Sequence, residues 1–245
     1  CFVGFLLVER LIPAAPRPGE LAAAAPQLRR YARNLLLWGA NIALSLAIVL
    51  PVTVWATDHP LWQRPGWWPG MGTGPFGGWG WGLALDFLLL DLWLYWWHRA
   101  NHEIGFLWRF HEVHHLDRFL DASSAVRFHF GEVALSALVR AAVILLLAVP
   151  LASVLVFEAL VLAAAIFHHS NLKLPARFEQ SASRAIITPA VHWIHHHAIR
   201  RDTDSNYGTF VTLWDILFGT RNRTPRTLDM EIGVEGQPER GLPAL

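Results

Sequence analysis

Residues 133–167 read VALSALVRAAVILLLAVPLASVLVFEALVLAAAIF. This run is almost unbroken apolar sequence with Pro150 near its middle, and its only charges are Arg140 and Glu158. At about 1.5 Å of rise per residue it is too long for one crossing of a hydrocarbon core about 30 Å thick. A helical hairpin turning near Pro150 fits better, with both ends on the same side of a membrane. Arg140 precedes the proline by about as much as Glu158 follows it, so the two lie at similar depth. An isolated charge in lipid is costly and a paired one less so. The spacing therefore predicts that Arg140 and Glu158 face each other.

The rest of the chain agrees with a membrane protein. Of 245 residues, 53% are hydrophobic and only 16% charged, where a soluble globule sits nearer a quarter charged. The mean hydropathy is +0.32. A net charge of +1 gives no case for nucleic-acid binding. The single cysteine, Cys1, excludes an internal disulfide and a thiolate metal cage, so any metal must be held by nitrogen and oxygen. The opening residues 2–8 read as the end of an apolar helix begun upstream, and residues 13–33 as a Pro/Ala/Arg connector. Residues 34–56 carry no charge and are long enough to span; residues 81–97 form a second span interrupted only by Asp86 and Asp91. Between them, Trp62, Trp67, Trp68, Trp79 and Trp81 fit an aromatic belt at a membrane–water interface. Residues 99–130 are polar and basic and are expected to be helical.

The fold expected is all-α: an integral membrane bundle of about four transmembrane helices plus a truncated N-terminal one, under a histidine-rich helical cap. Three parts are expected: 1–80 with the N-terminal membrane helices, connector and Gly/Trp-rich loop; 81–220 as the catalytic domain; and 221–245 as a tail. Lysine and arginine concentrate in residues 13–33, 98–132 and 168–245 and are nearly absent from 57–78. By the positive-inside rule the basic segments are cytoplasmic, in a multi-pass protein.

All but two of the 13 histidines fall in four groups. These are His98 and His102; His111, His114 and His115; His168 and His169; and His192, His195, His196 and His197. Residues three or four apart share a helix face. His98 and His102 therefore point one way, with Asp91 and Tyr95 extending their stripe toward the membrane. His111/His114/His115 and His192/His195/His196 each make a three-nitrogen face. Only a metal site, with more than one metal, needs so many neutral nitrogens. Ligating histidines usually donate their second N–H to a carboxylate or carbonyl; Asp91, Glu132, Asp204 and Asp215 are close in sequence. All four groups fall on the cytoplasmic side of the topology above.

Two other classes compete. His111-Glu112-x-x-His115 satisfies the zinc metalloprotease pattern, with Glu112 as general base, but leaves six other histidines without a purpose. A metal-ion transporter should carry its ligands within the spans, and here they lie just beyond them.

The whole arrangement resembles the fatty acid hydroxylase / sterol desaturase superfamily of membrane di-iron enzymes. The family's order of His-x3-His, His-x2-His-His, a single later histidine and a final His-x2-His-His matches His98/His102, His111/His114/His115, His169 and His192/His195/His196. The likeness covers about residues 85–220. It extends to Trp97-His98-Arg99, Arg127-Phe128-His129 with Glu132, His169-Ser170-Asn171, Asn206-Tyr207-Gly208, Trp214-Asp215 and Phe218-Gly219-Thr220. Phe130 stands where many relatives have proline, and His168 and His197 are extra neighbours, so the ligand in each pair is assigned by register. The resemblance implies nine histidine ligands to two iron ions (Fe2+), with O2 as co-substrate and a C–H bond of a lipid attacked. Asp91, Tyr95, His129, Glu132, His168, His197, Asn206 and Asp215 would support them or serve as alternate ligands. It also implies hydroxylation as the commonest outcome, with desaturation a variant, on a sterol, fatty acyl or alkylglycerol chain. Nothing in the chain looks like a fused b-type cytochrome domain. Electrons would come from a separate protein: a b-type cytochrome, ferredoxin or reductase.

Overall fold

The computed structural model describes residues 2–69 and 80–238. Among these there is no strand, only three isolated bridges. The helices are α1 (Phe2–Leu11), α2 (Ala24–Asp58), α3 (Trp81–Glu103), α4 (Gly105–His115), α5 (Phe130–Leu147), α6 (Leu151–His169), α7 (Ala176–Ala182), α8 (Pro189–His195), α9 (Arg200–Thr203) and α10 (Leu213–Leu217).

The hairpin is as its sequence predicts. α5 ends on Ala148 in the left-handed region, and Pro150 starts α6, where its missing N–H costs nothing. The last carbonyls of α5 are not left bare. Trp62 donates to Leu146 O at 2.8 Å, and Arg64 donates to Leu147 O while pairing with Asp86 at 2.8 Å. A cation at a helix C-terminus also meets the negative end of its dipole. Arg140 and Glu158 do face each other, joined Nη1 to Oε1.

Three described helices are long and apolar enough to cross a membrane: α2, α5 and α6. Most of each apolar window lies on the outside of the bundle, with Leu36, Leu46, Trp55, Leu138, Leu146 and Leu155 all exposed. A surface this apolar calls for lipid around it. The expected span at 81–97 is helical within α3 but is not among the three; its two aspartates and its Trp- and His-rich end lower its hydropathy. α3 instead packs inward, with Leu90 joining Ala56, Ala141, Ile144, Val154 and Phe157 in the core.

Several expectations are revised. The connector 13–33 is irregular only in its first half. From Ala24 it is already α2, which runs 35 residues with a π-helical segment at Ser45–Val49. The reason is Arg30, which is buried rather than solvated: it donates to Asp117 at 2.5 and 2.8 Å, to Asp121 at 2.6 Å and to Phe119 O and Ser124 Oγ. Residues 116–129 accordingly do not continue α4. They form a buried loop with one short 3-10 turn, Ser124–Val126, whose polar groups α2 satisfies. Asn34 adds bonds to Asp117 and Ser123, and Arg127 donates to Val113 O at 2.7 Å. Of the tryptophan belt, Trp62, Trp67 and Trp81 are exposed, whereas Trp68 is buried and donates to Asp86 at 3.0 Å. Trp79 lies outside the described residues.

Both ends of the hairpin, the C-terminal end of α3, all of α4, and α8 meet at one end of the bundle. α5 brings Glu132 there and the others bring histidines.

Candidate metal centre

The histidines sort into two buried sets. His98 and His102 from α3, His111 and His115 from α4, and His195 from α8 form one. His114 from α4, His169 from α6, and His192 and His196 from α8 and its end form the other. Within each set the candidate ligand atoms lie within 4.8 Å of one another. The sets share a wall, where His115 stacks on His196 with ring centroids 4.2 Å apart. The structure thus brings together the same nine histidines that the resemblance implies as ligands.

The other nitrogens explain how the rings are aimed. Nδ1 of His98 meets Tyr207 O at 2.7 Å, His114 meets Arg127 O at 3.1 Å, His169 meets Ala165 O at 2.8 Å and His195 meets Ser205 O at 2.7 Å. Nδ1 of His111 meets Glu132 at 2.9 Å, and that of His102 meets Asp204 at 3.2 Å. Asp204 is itself held by Arg200 at 2.6 Å. Carbonyl and carboxylate oxygens only accept, so in all six rings Nδ1 carries the proton and Nε2 a bare lone pair. His114 Nε2 and His169 Nε2 then face each other at 3.0 Å. Two acceptors cannot bond to each other, and a shared cation is what makes that contact favourable. Nε2 of His102 and of His195 are likewise buried without a partner among the described residues. The donor set suits a metal that takes imidazole, and with no thiolate it is unlike a cysteine-built structural zinc cage.

Burial keeps most of these rings neutral. Desolvation holds His98, His102, His114, His115, His192 and His196 well below the usual imidazole range, and His195 is pushed down to about 3. Neighbouring imidazoles add to the shift in the first six, because a charge on one would repel the next.

The remaining expected residues fall into three places. Glu132 touches a histidine of the set directly, as just described. Asp215 and Tyr95 act further out. Asp215 accepts from the backbone N–H of Tyr207 and Gly208 at 2.8 and 2.9 Å and from Thr220 at 2.7 Å, shaping the turn that presents Tyr207 O to His98. Tyr95 bonds Thr220 at 2.9 Å and packs edge-on against Tyr207. Asn206, at positive φ in the same turn, accepts from Asn222 N at 3.0 Å. Asp91, His129 and His197 belong to neither set. Asp91 accepts from the Trp214 indole at 2.9 Å, His129 caps α5 by accepting from Gly131 N, and His197 pairs with Asp202 at 2.8 Å. Of the adjacent pair, His169 enters the second set and His168 stands beside it, its ring 4.0 Å from that of His192. Glu112 is in neither set. Sequence reasoning missed Tyr207, Arg127, Ala165 and Ser205, which contribute main-chain carbonyls, and Arg30, which holds the loop carrying Arg127.

A cavity of about 230 Å3 opens beside the histidines. It is lined by His98, His111, His114, His168 and His169 at one side and by Leu94, Phe128, Val161, Leu162 and Ala165, with Glu158, on the rest. A larger space of about 840 Å3 lies against α1 and the start of α2 and touches no histidine. Only the smaller one joins an apolar wall to the candidate metal ligands.

The fatty acid hydroxylase family model matches residues 83–220. The chain is 28% identical over 205 residues to the ornithine lipid hydroxylase OlsE of Rhizobium tropici, covering 83% of this chain and 60% of that protein. It is 30% identical over 142 residues to alkylglycerol monooxygenase of Danio rerio and 29% over 147 residues to that of Homo sapiens. In both cases the match covers 58% of this chain and 30% of the relative. No solved structure matches.

Proposed function

Because the chain belongs to the fatty acid hydroxylase family, we propose that it is a membrane-bound di-iron oxygenase that hydroxylates a lipid. The observation that carries this reading is the convergence of nine buried histidines into two adjoining sets, six of them with Nε2 left bare by the acceptor at Nδ1. His98, His102, His111, His115 and His195 would hold one iron, and His114, His169, His192 and His196 the other. Bound iron would supply O2 activation and the oxidation of a C–H bond, with electrons from a separate donor protein.

The chain's own residues do the rest. Glu132, Asp204 and four main-chain carbonyls fix which nitrogen six of the nine ligands present. The buried, neutral rings stay available as ligands at neutral pH. The apolar wall of the 230 Å3 cavity excludes water and accepts a hydrocarbon segment. Residues 81–220 are the catalytic unit in this reading, and the histidine end of the bundle faces the cytoplasm. The relatives named above act, by their names, on an ornithine lipid and on alkylglycerols; a lipid with a polar head and a long chain is the substrate class that suits this one. A zinc protease centred on His111-Glu112-x-x-His115 is not favoured, because five histidines converge where that chemistry uses two.

Metal analysis and lipid profiling test the proposal together. The purified protein should carry about two irons per chain, and a host expressing it should gain lipids heavier by one oxygen. His114→Ala should abolish the product, while Glu112→Gln should be far milder. A single zinc per chain, or activity lost with Glu112→Gln alone, would sink the oxygenase reading.

A further inference from the structure

The Arg140–Glu158 pair is not needed to place the histidines, and in lipid it is expensive to keep. Replacing a buried ion pair by well-packed apolar residues is often neutral or stabilising, so a pair inside an apolar hairpin invites a functional explanation. Two observations point to one. Glu158 lines the same cavity as His111, His114 and His169, and its side chain is 42% exposed against 11% for Arg140. Among the described residues only Arg140 engages its carboxylate, through one oxygen, which leaves the other to accept. Arg140 Nε, behind it, is buried without a partner among the described residues.

Helical spacing turns this into a measure of length. Glu158, Val161, Leu162, Ala165 and His169 follow one face of α6. Eleven residues separate Glu158 from His169, or about 16 Å at the α-helical rise, roughly the reach of about a dozen extended chain carbons.

Resting on the oxygenase reading for its far end, we propose that Glu158, held by Arg140, is a polar subsite of the lipid channel. It takes a hydrogen-bond donor, a hydroxyl or an amide N–H, carried on the substrate chain about 16 Å from the carbon presented to the histidines. A plain alkyl chain has no donor to offer and would leave the carboxylate unsatisfied against hydrocarbon. A hydrogen bond to a charged group in such a place is worth about ten- to a hundredfold in affinity.

The test compares three uncharged probes: methyl octadecanoate and its 12-hydroxy and 3-hydroxy derivatives. Their binding is measured on the purified full chain in lipid nanodiscs, held without oxygen so that none is consumed. The wild type should prefer the 3-hydroxy probe, whose C15 lies about a dozen carbons from the hydroxyl, to both others by about tenfold or more. The double variant Arg140→Leu/Glu158→Leu should lose the preference while keeping its iron. Should that variant not fold, Glu158→Gln, which keeps a weaker acceptor, should reduce the preference several-fold. Equal binding of the three probes by the wild type would overturn the proposal, as would a preference that either substitution leaves undiminished. Binding without turnover is read independently of iron content and product formation, so a failed oxygenase reading shows in those and not here.

Discussion

Glu132 offers the sharpest probe of how the rings are aimed. Its carboxylate, 6% exposed, accepts from His111 Nδ1 at 2.9 Å and is the only carboxylate anchor in the site that is itself buried. Glu132→Ala leaves a buried N–H with no acceptor, and the ring can then move its proton to Nε2, the nitrogen a metal needs. A charge-assisted bond of this kind is worth about 1.5–3 kcal/mol, and losing the partner of a ligating histidine costs about ten- to a hundredfold in metal affinity. Glutamine keeps a neutral acceptor, so Glu132→Gln should cost less, about fivefold to tenfold. The loss should be local. His114 and His169, in the other set, keep their own anchors at Arg127 O and Ala165 O. Equilibrating each protein with a graded ferrous chelator and counting the iron retained should show one ion leaving early in the alanine variant, earlier than in the glutamine variant, with the second unchanged. If Glu132→Ala holds both ions as tightly as the wild type, the tautomer argument is wrong.

Three further outcomes are expected. His98, His102, His114, His115, His192 and His196 are held below their unfolded pKa of about 6.5, and His195 down to about 3, so between those values the unfolded chain binds more protons than the folded one. Stability of the chelator-stripped protein should therefore be complete above about pH 6.5 and fall as pH drops below it; a Tm flat from pH 8 to 5 would contradict this. Arg30→Met strands Asp117, which the guanidinium holds down at about 2, and Asp121 without their cation. It should cost about 3–5 kcal/mol in denaturant unfolding, with part recovered by adding Asp117→Asn; an effect under about 1 kcal/mol would show the network to be idle. Ala148 turns the hairpin at φ +50°, so Ala148→Gly should stabilise the fold by up to about 1 kcal/mol and raise the Tm, and a lower Tm would show that the turn is set by packing instead.

The hairpin and the histidine sets were legible because their signals are carried by residue type and period. A long apolar run broken at Pro150 can fold back in few ways, and imidazoles three and four apart on a helix must share a face. What stayed hidden was carried by the main chain or by distant pairing. Nothing in the identity of Tyr207, Ser205, Arg127 or Ala165 announces that its carbonyl receives a histidine proton. Arg30 looked like one basic residue among four in a connector, and only the three-dimensional approach of Asp117 and Asp121 reveals it as a buried hub. Asp91 was misplaced for the opposite reason. An acid inside an apolar helix needs a partner, as expected, but the partner is Trp214 and not a histidine. Trp68 followed the same pattern, turning inward to Asp86 rather than out to an interface.

The length of α2 has a mechanical consequence. Its uncharged stretch, 34–56, matches a hydrocarbon core, and the ten residues before it continue as the same rigid rod for about 15 Å more. That overhang is not loose: Arg30 bolts it to Asp117 and Asp121, in the loop that hands a carbonyl to His114. With 34–56 in a bilayer, as its length and composition allow, the strut would brace the histidine platform at a set height over it. A change in membrane thickness would tilt strut and platform together, leaving the spacing among the nine rings undisturbed.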